Sequence, residues 1–482
     1  MKNRIYIKDL KDNIGTHSTD SGQKEVIIAG WVDVRRDQGK MIFFDMRDMT
    51  GRVQCVVLPN HTEAIEKAKE IRPEWVLKIT GLVNKRPEKN IKVGVLNGDI
   101  EIEILSIEIL NKAETTPFQI NESTIGINED IRMKYKYLDL RTERMQKNIR
   151  MRDKIISFFR DYMHKNDFIE IETPMMTKGT PEGSREYVIP SRLWQGKFYV
   201  LPQSPQQFKQ LCMVAGFEKY FQIARCMRDE DTRGDRQPEF TQLDYEMSFV
   251  TQEEILEYTE KMFIELVKNI YPEKKILETP FPRLTYAESI EKYKSDKPDL
   301  RKNKEDPNEL AFCWILDFPM FEKNNEGEVQ AVHHPFCLVK PEDKEKFMSA
   351  KGGSASGGKD KDIFSIRANA YDLVLNGYEL SSGSIRIHDQ AEQKQVFNLL
   401  NISEEEQQKK FGHMLEAFTY GAPPHGGFAP GIDRIVMILQ NEPNIREVIA
   451  FPKTGEGKDL MMGSPSEIPD KQLKELGIKL EK

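Results

Sequence analysis

The sequence is poor in cysteine. Its 482 residues include only five cysteines, and no two of them have the CxxC spacing. An odd number of widely separated cysteines is a poor basis for a disulfide framework or a structural zinc site, so neither is expected. Because free cysteine is usually buried, we predict that all five are reduced packing residues. They are Cys55, Cys212, Cys226, Cys313 and Cys337.

Membrane and targeting signals are also lacking. The apolar runs are far shorter than the ~20 residues of a membrane-spanning helix. The first residues, MKNRIYIKDLKDN, have neither the apolar stretch of a signal peptide nor the Arg- and Ser-rich pattern of a transit peptide. The expected location is therefore the cytoplasm. A hydrophobic content of 38% with 31% charged residues indicates a globular chain with a large core. The net charge of -7 argues against a surface coated with nucleic acid, but not against a local basic face.

The N-terminal quarter of the chain has a β pattern. Between residues 25 and 110, five runs rich in β-forming residues are separated by Gly, Asp and Asn, with one helical stretch after the third run. The runs are VIIAGWVDV, MIFFDMRD, RVQCVVL, WVLKITGLVN and DIEIEILSIEIL, and the helical stretch is HTEAIEKAKEI. This order is typical of an OB-fold barrel, which often binds single-stranded nucleic acid. We predict such a domain at residues 1–111.

The rest of the chain mixes helices and strands. Residues 112–142 are rich in turn formers and are expected to form a hinge before a larger domain at 143–482. A helix is predicted from Glu143 to about Lys165. Ser403 and Glu406 fit a capping box that opens a later helix.

One glycine-rich motif is misleading. The low-complexity stretch from Met348 to Asp362 contains GxxxxGK at residues 353–359. A phosphate-binding loop needs Ser or Thr next, but this sequence has Asp360, and no β run leads into the motif. We interpret the stretch as a solvated loop.

Three long stretches carry a family resemblance. The first runs from Thr180 to Phe249 and includes QSPQQFK, RDEDTRGDRQPEF and QLDYE; the second combines HHPF at His333 with YDLVLNGYELSSGSIRIHD; the third is YGAPPHGGFAPGIDRIVM from Tyr420. They resemble the signature motifs of class II aminoacyl-tRNA synthetases, specifically the bacterial aspartyl subgroup. IETPMM at Ile171 resembles the first class motif, which implies a homodimer. GWVDVRRDQGKMIFFDMRDMTGRVQ resembles the anticodon-binding OB domain of that family.

The resemblance implies a fold and a reaction. The fold is α+β: a five-stranded OB-fold barrel followed by a class II catalytic domain with an antiparallel sheet flanked by helices. The reaction joins L-aspartate to tRNA(Asp) through aspartyl-adenylate, with ATP and Mg²⁺ and without zinc. A substrate α-carboxylate with a pKa near ~3.5 is already ionised at neutral pH. The first step therefore needs alignment and charge neutralisation rather than a general base.

The resemblance assigns roles around this reaction. Arg228 and Arg434 are the expected catalytic arginines, with a salt bridge to Glu230 or Asp229 as the alternative for Arg228. The aspartate site would comprise Glu182, Gln206, Lys209, Arg228, Asp244, His333 and Arg386. The ATP site would comprise Arg228, Asp229, Glu230, Gln237, Glu379, Gly431, Ile432, Asp433 and Arg434.

Asp372 and Glu379 match carboxylates that hold magnesium, a metal that prefers oxygen ligands. Their spacing of seven would put both on one face if YDLVLNGYE were helical, although spacing alone favours two surface acids as the alternative. The cations Lys209 and Arg386 match the clamp for the substrate side chain. Neutral asparagine there would leave buried charge uncompensated, at roughly 3–5 kcal/mol. The alternatives for His333 are an ordinary loop or a metal pair at HHPF, and the metal pair is discounted because adjacent histidines in a strand rarely coordinate one ion.

Further residues match tRNA contacts of the family. Phe43 would stack on an anticodon base, with plain barrel core as its alternative. Gln38 stands where the family pattern has leucine or histidine, which leaves open whether tRNA(Asn) is charged as well. The other matched tRNA contacts are Arg36, Gln54, Glu101, Thr232, Arg233 and Arg236.

The chain departs from the bacterial pattern in one large feature. The inserted domain that the family carries between its second and third motifs is reduced to a polar linker near residues 294–309. Three other identities fit the sequence less well. An asparaginyl-tRNA synthetase would not need Arg386 and Lys209, an asparagine synthetase on the same core would lack the OB domain, and a non-catalytic RNA-binding relative would not need Arg228 with Arg434.

Overall fold

The computed structural model describes residues 2–14, 25–179, 184–324, 326–350 and 360–481. Glu182 and the GxxxxGK stretch at 353–359 lie outside the described residues. The chain divides into two compact units, one formed by residues 1–128 and 137–144, the other by 129–136 and 145–482. Within the described ranges, no helix is long and apolar enough to cross a bilayer. All five cysteines are free, and all but Cys212 are buried.

The first unit is a closed five-stranded barrel with strand order β1-β2-β3-β5-β4. Its strands are β1 Val26–Gln38, β2 Met41–Asp48, β3 Gly51–Val57, β4 Val76–Lys85 and β5 Ile100–Asn111, with helix α1 Thr62–Glu70 between β3 and β4. In β2, Ile42, Phe44 and Met46 are buried, while the residues between them face outward. This alternation is expected for a strand that has one face on a barrel core. The predicted OB-fold barrel is confirmed.

The second unit is built on an eight-stranded sheet of order β12-β14-β17-β18-β19-β10-β9-β6. Its strands are β6 Ile169–Glu170, β9 Lys219–Met227, β10 Glu239–Ser248, β12 Arg283–Thr285, β14 Phe312–Leu316, β17 Ala370–Leu375, β18 Tyr378–Ile385 and β19 His425–Phe428. The central six strands are antiparallel, as expected. The edge strands β6 and β12 pair parallel to their neighbours, so the sheet is mixed and the expectation of an antiparallel sheet was incomplete.

Helices and short strands surround this sheet. The helices are α2 Glu129–Lys134, α3 Lys136–Asp139, α4 Glu143–Lys165, α5 Gln206–Val214, α6 Gln252–Ile270, α7 Tyr286–Tyr293, α8 Lys344–Ser349, α9 Gln390–Leu399, α10 Glu404–Phe418, α11 Ile432–Leu439 and α12 Asp470–Leu476. Short paired strands are β7 Val188–Pro190 with β8 Phe198–Val200, β11 Lys275–Ile276 with β13 Glu309–Leu310, and β15 Phe321–Lys323 with β16 Val329–Ala331. Helices of the 3₁₀ type span Ile7–Asn13, Glu88–Asn90, Pro341–Asp343, Asp360–Ser365 and Ile445–Glu447.

Two helix predictions are confirmed. Helix α4 has the predicted bounds, and it buries Ile155 and Phe159 in the core cluster beneath the sheet. Helix α10 opens with the reciprocal capping box of Ser403 and Glu406.

The indole nitrogen of Trp314, a fully buried core residue, donates to Glu260 Oε1 at 2.9 Å. This bond satisfies the polar atom that such a large side chain brings into the core.

The segment YDLVLNGYE is not helical, so the condition under which Asp372 and Glu379 would share a helix face is not met. Strands β17 and β18 form an antiparallel hairpin there, and its turn contains Asn376 and Gly377 with φ of 53° and 84°. Both angles fit the Asn-Gly turn that matches the twist of a two-residue hairpin. Asp372 lies opposite Ser382 in this pairing, and Glu379 lies opposite Val374.

Candidate active site

A cleft of about 670 Å³ opens on the second unit and gathers most of the predicted catalytic residues. Its walls include residues of helix α5, strands β10 and β18 and the start of α11. The predicted residues that line it are Gln206, Lys209, Arg228, Glu230, Arg236, Gln237, Asp244, His333, Glu379, Arg386, Gly431, Asp433 and Arg434. Three others do not line it, namely Asp229, Ile432 and Asp372.

Four buried charges form the floor of this cleft. Lys209 Nζ lies 3.0 Å from Asp244 Oδ2 and 3.4 Å from Glu246 Oε2. The Arg386 guanidinium donates to Glu246 at 2.9 and 3.2 Å. No member of this group is more than 2% exposed. Two cations and two carboxylates therefore neutralise one another inside the protein, as buried charges require.

Glu246 is a site residue that the sequence interpretation missed. It lies two residues beyond Asp244 on β10, and alternate residues of a strand share a face. Once Asp244 was placed in the site, this periodicity was a signal that pointed to Glu246 as well. Its carboxylate joins the two cations that the family resemblance names as the side-chain clamp.

Burial and pairing set the protonation of these carboxyls. Burial raises the pKa of Asp244, although the nearby Lys209 ammonium opposes the rise. Burial acts in the same direction on Glu246, but Arg386 and Lys209 outweigh it and hold the pKa of that carboxyl below its usual value. Glu246 is therefore ionised at neutral pH. Asp244 Oδ1 is buried and has no hydrogen-bond partner among the described residues, so it is an acceptor open to a further donor.

The two histidines of HHPF have different partners. His333 Nε2 lies 3.1 Å from Asp372 Oδ1, whereas His334 Nε2 lies 2.6 Å from Arg386 Nη1. Burial, with the charge of Arg386 beside it, holds the pKa of His334 well below its ordinary value. A neutral imidazole thus borders the clamp arginine. Sequence reasoning singled out His333 and missed His334, because nothing in an adjacent pair indicates which ring faces the arginine.

Arg228 lies above this floor, immediately after strand β9. Its guanidinium carbon is 5.0 Å from the centre of the Phe240 ring. The alternative salt bridges of Arg228 are not present among the described residues. Glu230 pairs instead with Arg236 at 2.9 Å, and the backbone of Asp229 bonds Arg185. Among the described residues, the Arg228 side chain therefore has no carboxylate partner that an incoming anion would have to displace.

A second group of polar residues occupies the opposite part of the cleft. Gln237 is 3% exposed; its Oε1 accepts from Lys453 N at 2.7 Å, and its Nε2 has no partner among the described residues. Arg434 donates to the backbone oxygen of Glu379 at 2.6 Å and lies 3.3 Å from Asp235 Oδ2. Asp433 uses its carboxylate on Arg152 and on the backbone nitrogen of Thr241.

Asp372 and Glu379 lie on neighbouring strands of the β17–β18 hairpin. Burial raises the pKa of Asp372 in spite of His333 beside it. Burial would also raise the pKa of Glu379, but Lys297 and Arg434 lower it to about 2. Ser382 Oγ donates to Glu379 Oε1 at 3.2 Å. The described residues contain no group of three or more metal-ligating side chains. Two carboxylates fit a Mg²⁺ that is held mainly by phosphates and water.

The floor of the cleft depends on a glycine in the third signature stretch. An ideal Cβ on Gly427 would lie 2.0 Å from Glu246 Oε2 and 2.2 Å from the backbone oxygen of Tyr245. We expect Gly427→Ala to push Glu246 off the two cations, to lower the free energy of unfolding by about 1–3 kcal/mol, and to raise the KM for the amino acid. Urea unfolding and steady-state kinetics measure both effects.

Gly455→Ala is the matched control, because an added Cβ there meets nothing within 4 Å. A Gly427→Ala protein as stable as the Gly455→Ala protein would show that the sheet yields at this position and would contradict the prediction.

The first unit presents a polar strip on the outer surface of its barrel. Arg36 donates to Asp45 at 2.7 and 2.8 Å and to Gln54 Oε1 at 3.2 Å. Gln54 Nε2 donates in turn to Glu101 Oε2 at 2.8 Å. The strip therefore crosses β1, β2, β3 and β5. Asp45 is a member that sequence reasoning missed.

Phe43 lies beside this strip and is only partly buried, whereas Phe44 is fully buried in the barrel core. The alternative of Phe43 as plain core is therefore wrong. The predicted tRNA contacts of the second unit lie together near the cleft: Arg233 and Arg236 form a backbone bridge, and the Thr232 hydroxyl donates to the Gly455 oxygen.

Comparison with known proteins agrees with this geometry. Residues 128–455 match the family of class II tRNA synthetases (D, K and N), and residues 26–110 match the OB-fold nucleic acid binding domain. The chain is 41% identical to the aspartate–tRNA(Asp/Asn) ligase of Rubrobacter xylanophilus, with 95% of each chain covered. It is 37% identical to the aspartate–tRNA ligase of Staphylococcus epidermidis, with 95% of this chain and 97% of the relative covered.

A solved structure has the same fold. The asparaginyl-tRNA synthetase of Pyrococcus horikoshii, complexed with asparaginyl-adenylate, superposes with a TM-score of 0.73 at 20% identity, covering 94% of this chain and 99% of that one. The Rubrobacter alignment extends over 583 positions, more than the 482 residues of this chain, so that relative carries segments without a counterpart here. From the barrel, the mixed sheet with its cleft and these identities, it follows that the chain belongs to the aspartate–tRNA ligases among the class II aminoacyl-tRNA synthetases.

Proposed function

We propose that this protein activates L-aspartate with ATP, forming aspartyl-adenylate and pyrophosphate, and then transfers the aspartyl group to tRNA(Asp). The observation that carries the proposal is the buried charge cluster of Lys209, Asp244, Glu246 and Arg386, with an acceptor of Asp244 left open. An amino acid with an acidic side chain has two groups that this cluster can bind, its ammonium group and its side-chain carboxylate.

The proposed binding is an exchange of ion pairs. The substrate ammonium meets Asp244, whose Oδ1 lacks a partner among the described residues. The side-chain carboxylate takes the place that Asp244 now occupies beside Lys209 and lies next to Arg386, which keeps its pairing with Glu246. Gln206 also lines the cleft. Asparagine offers a neutral amide instead of a carboxylate, so the exchange would leave a buried cation uncompensated.

Arg228 is the proposed catalytic cation. It has no carboxylate partner among the described residues, and a planar guanidinium can bind an α-carboxylate and an α-phosphate together. Holding both anions aligns the attack of the carboxylate on the α-phosphorus, with pyrophosphate leaving on the opposite side. Arg434 stabilises the charge on that leaving group, and Gln237 Nε2 is free to donate to the adenine ring. Mg²⁺ bound with ATP would neutralise phosphate charge beside Asp372 and Glu379.

The experiment is aspartate-dependent exchange of pyrophosphate into ATP, followed by charging of purified tRNAs. Exchange should require aspartate and should not occur with asparagine. No exchange with any amino acid would refute the enzyme, and exchange with asparagine alone would refute the substrate.

We further propose that tRNA(Asn) is a second acceptor. The Rubrobacter relative is named an aspartate–tRNA(Asp/Asn) ligase, a name that includes both tRNAs. In this chain Gln38 is exposed at the end of β1, two residues beyond Arg36 of the polar strip. Its amide can both donate and accept hydrogen bonds. Charging of purified tRNA(Asn) within tenfold of tRNA(Asp) would support the proposal, and charging of tRNA(Asp) alone would refute it.

The barrel is the proposed anticodon-binding surface. Phe43 supplies an aromatic face beside the strip of Arg36, Gln54 and Glu101. Stacking on an aromatic ring contributes about 1–3 kcal/mol per base. We expect Phe43→Ala to raise the KM for tRNA roughly tenfold while pyrophosphate exchange stays unchanged.

The matched control is Met49→Ala, which removes an apolar side chain that is 59% exposed in the same barrel. Aminoacylation kinetics at varied tRNA concentration measure the effect. If both variants charge tRNA with the KM of the unmodified protein, Phe43 does not contact the anticodon.

We also propose a domain organisation and a homodimer. The domains are 1–111, a hinge at 112–142 and 143–482, with the inserted domain reduced to residues 294–309. The length of the Rubrobacter alignment supports the reduction. The dimer interface would include the IETPMM segment, where Met175 and Met176 are 37% and 58% exposed. Sedimentation of the purified protein tests the dimer.

A further inference from the structure

The linker that stands in place of the inserted domain is packed. It begins at Lys294, whose φ of 56° ends helix α7. Ser295 fixes its first turn: the Ser295 backbone oxygen accepts from Ser289 Oγ at 2.7 Å, and its own hydroxyl oxygen accepts from Lys297 N at 2.9 Å. Pro298 is buried, and Leu300 packs on a core cluster. These contacts hold the linker in one place against the catalytic unit.

This packing directs one side chain of the linker into the cleft. Lys297 lines the cleft, and its Nζ lies 3.0 Å from Glu379 Oε2. The turn of the β17–β18 hairpin lies against the linker, since an ideal Cβ on Gly377 would be 3.4 Å from Asp299 Cβ. The ammonium therefore stands at the end of the cleft that holds Glu379 and Arg434.

The surroundings of Lys297 are suited to an anion. Arg434 bonds the backbone oxygen of Glu379 while Lys297 pairs with its carboxylate, so two cations flank one acidic residue. The Lys297 side chain is 40% exposed, and its four-carbon stem can swing. An incoming polyphosphate brings several negative charges to an ammonium that now pairs with the carboxylate of Glu379.

We propose that Lys297 binds the phosphates of ATP beyond the α-phosphate, so that the short linker adds a phosphate-binding cation to the active site. The inference rests on the proposed function, which places ATP in this cleft beside Glu379. On arrival of the nucleotide, the ammonium exchanges the Glu379 oxygen for phosphate oxygens. The lysine thus binds ATP and makes no contribution to the choice of amino acid.

The test compares Lys297→Met with Lys297→Arg in the full-length protein. Calorimetry with a non-hydrolysable ATP analogue and Mg²⁺ should give a Kd about tenfold higher for Lys297→Met, the size expected for a hydrogen bond between charged groups. Lys297→Arg keeps a cation and should bind within about threefold of the unmodified protein. In kinetics, the KM for ATP should rise in Lys297→Met while the KM for aspartate is unchanged.

Two controls separate phosphate binding from a structural effect. Adenosine lacks phosphates, so its affinity should be the same in all variants. Lys302→Met removes another exposed linker lysine and should leave ATP binding unchanged. An unchanged Kd for the analogue in Lys297→Met would overturn the proposal, as would an equal loss in Lys302→Met or an equal loss of adenosine binding. If the unmodified protein shows no aspartate-dependent exchange, the proposed function fails, while the calorimetry still decides whether Lys297 binds phosphate.

Discussion

Arg386→Gln is expected to reduce aspartate-dependent pyrophosphate exchange by roughly two to three orders of magnitude, the factor that corresponds to breaking a buried ion pair. Arg386 is 2% exposed, and its guanidinium is held by Glu246 at 2.9 Å. Glutamine keeps much of the volume and a donor but loses the charge. The loss should appear mainly in kcat/KM for aspartate, whereas the KM for ATP should change little.

The variant also removes one of the two cations that neutralise Glu246, so part of the loss could come from a weakened fold. The double variant Arg386→Gln with Glu246→Gln removes both charges of the pair and should recover stability in urea unfolding. It should not recover aspartate activation. If the single variant activates aspartate normally, Arg386 does not bind the substrate side chain.

Arg228→Lys should lower kcat of the exchange reaction by about 100- to 1,000-fold, the effect of removing one preorganised group that stabilises the transition state. Lysine preserves the charge but cannot bind two anions with one planar group. It would also lose the contact of the guanidinium with the Phe240 ring, 5.0 Å away. Single-turnover formation of the adenylate measures the chemical step directly.

Arg225→Lys is the matched control. Arg225 lies three residues earlier on β9, where its side chain is 54% exposed and pairs with Glu239. That variant should exchange pyrophosphate at the normal rate. Equal activity of the Arg228→Lys and Arg225→Lys proteins would show that Arg228 does not align the two reacting anions.

Short sequence patterns predicted the barrel strands and helix α10, because both depend on residues that are close together in the sequence. The barrel strands followed from alternation, as in Ile42, Phe44 and Met46, and helix α10 followed from the capping box at Ser403. The hairpin at Asn376 was not predicted, although the Asn-Gly pair at its turn is a local signal. The edge strand β6 has only two residues and so carries no periodicity.

The active site was predicted only in part, because its contacts join distant segments. The family motifs named Lys209 and Arg386, but the neutralising role of Glu246 depends on the pairing of three separate elements. The position of Lys297 beside Glu379 joins residues 82 apart in sequence and depends on how the linker packs. No local pattern specifies such a contact, and the linker was interpreted simply as polar.

The two shortest strands of the large sheet lie at its edges, where β6 has two residues and β12 has three. Each edge therefore offers only a few peptide groups to which a foreign strand could add. Such short edges protect a wide sheet from edge-to-edge aggregation during synthesis and folding. A foreign strand could consequently form only a few backbone hydrogen bonds at either edge.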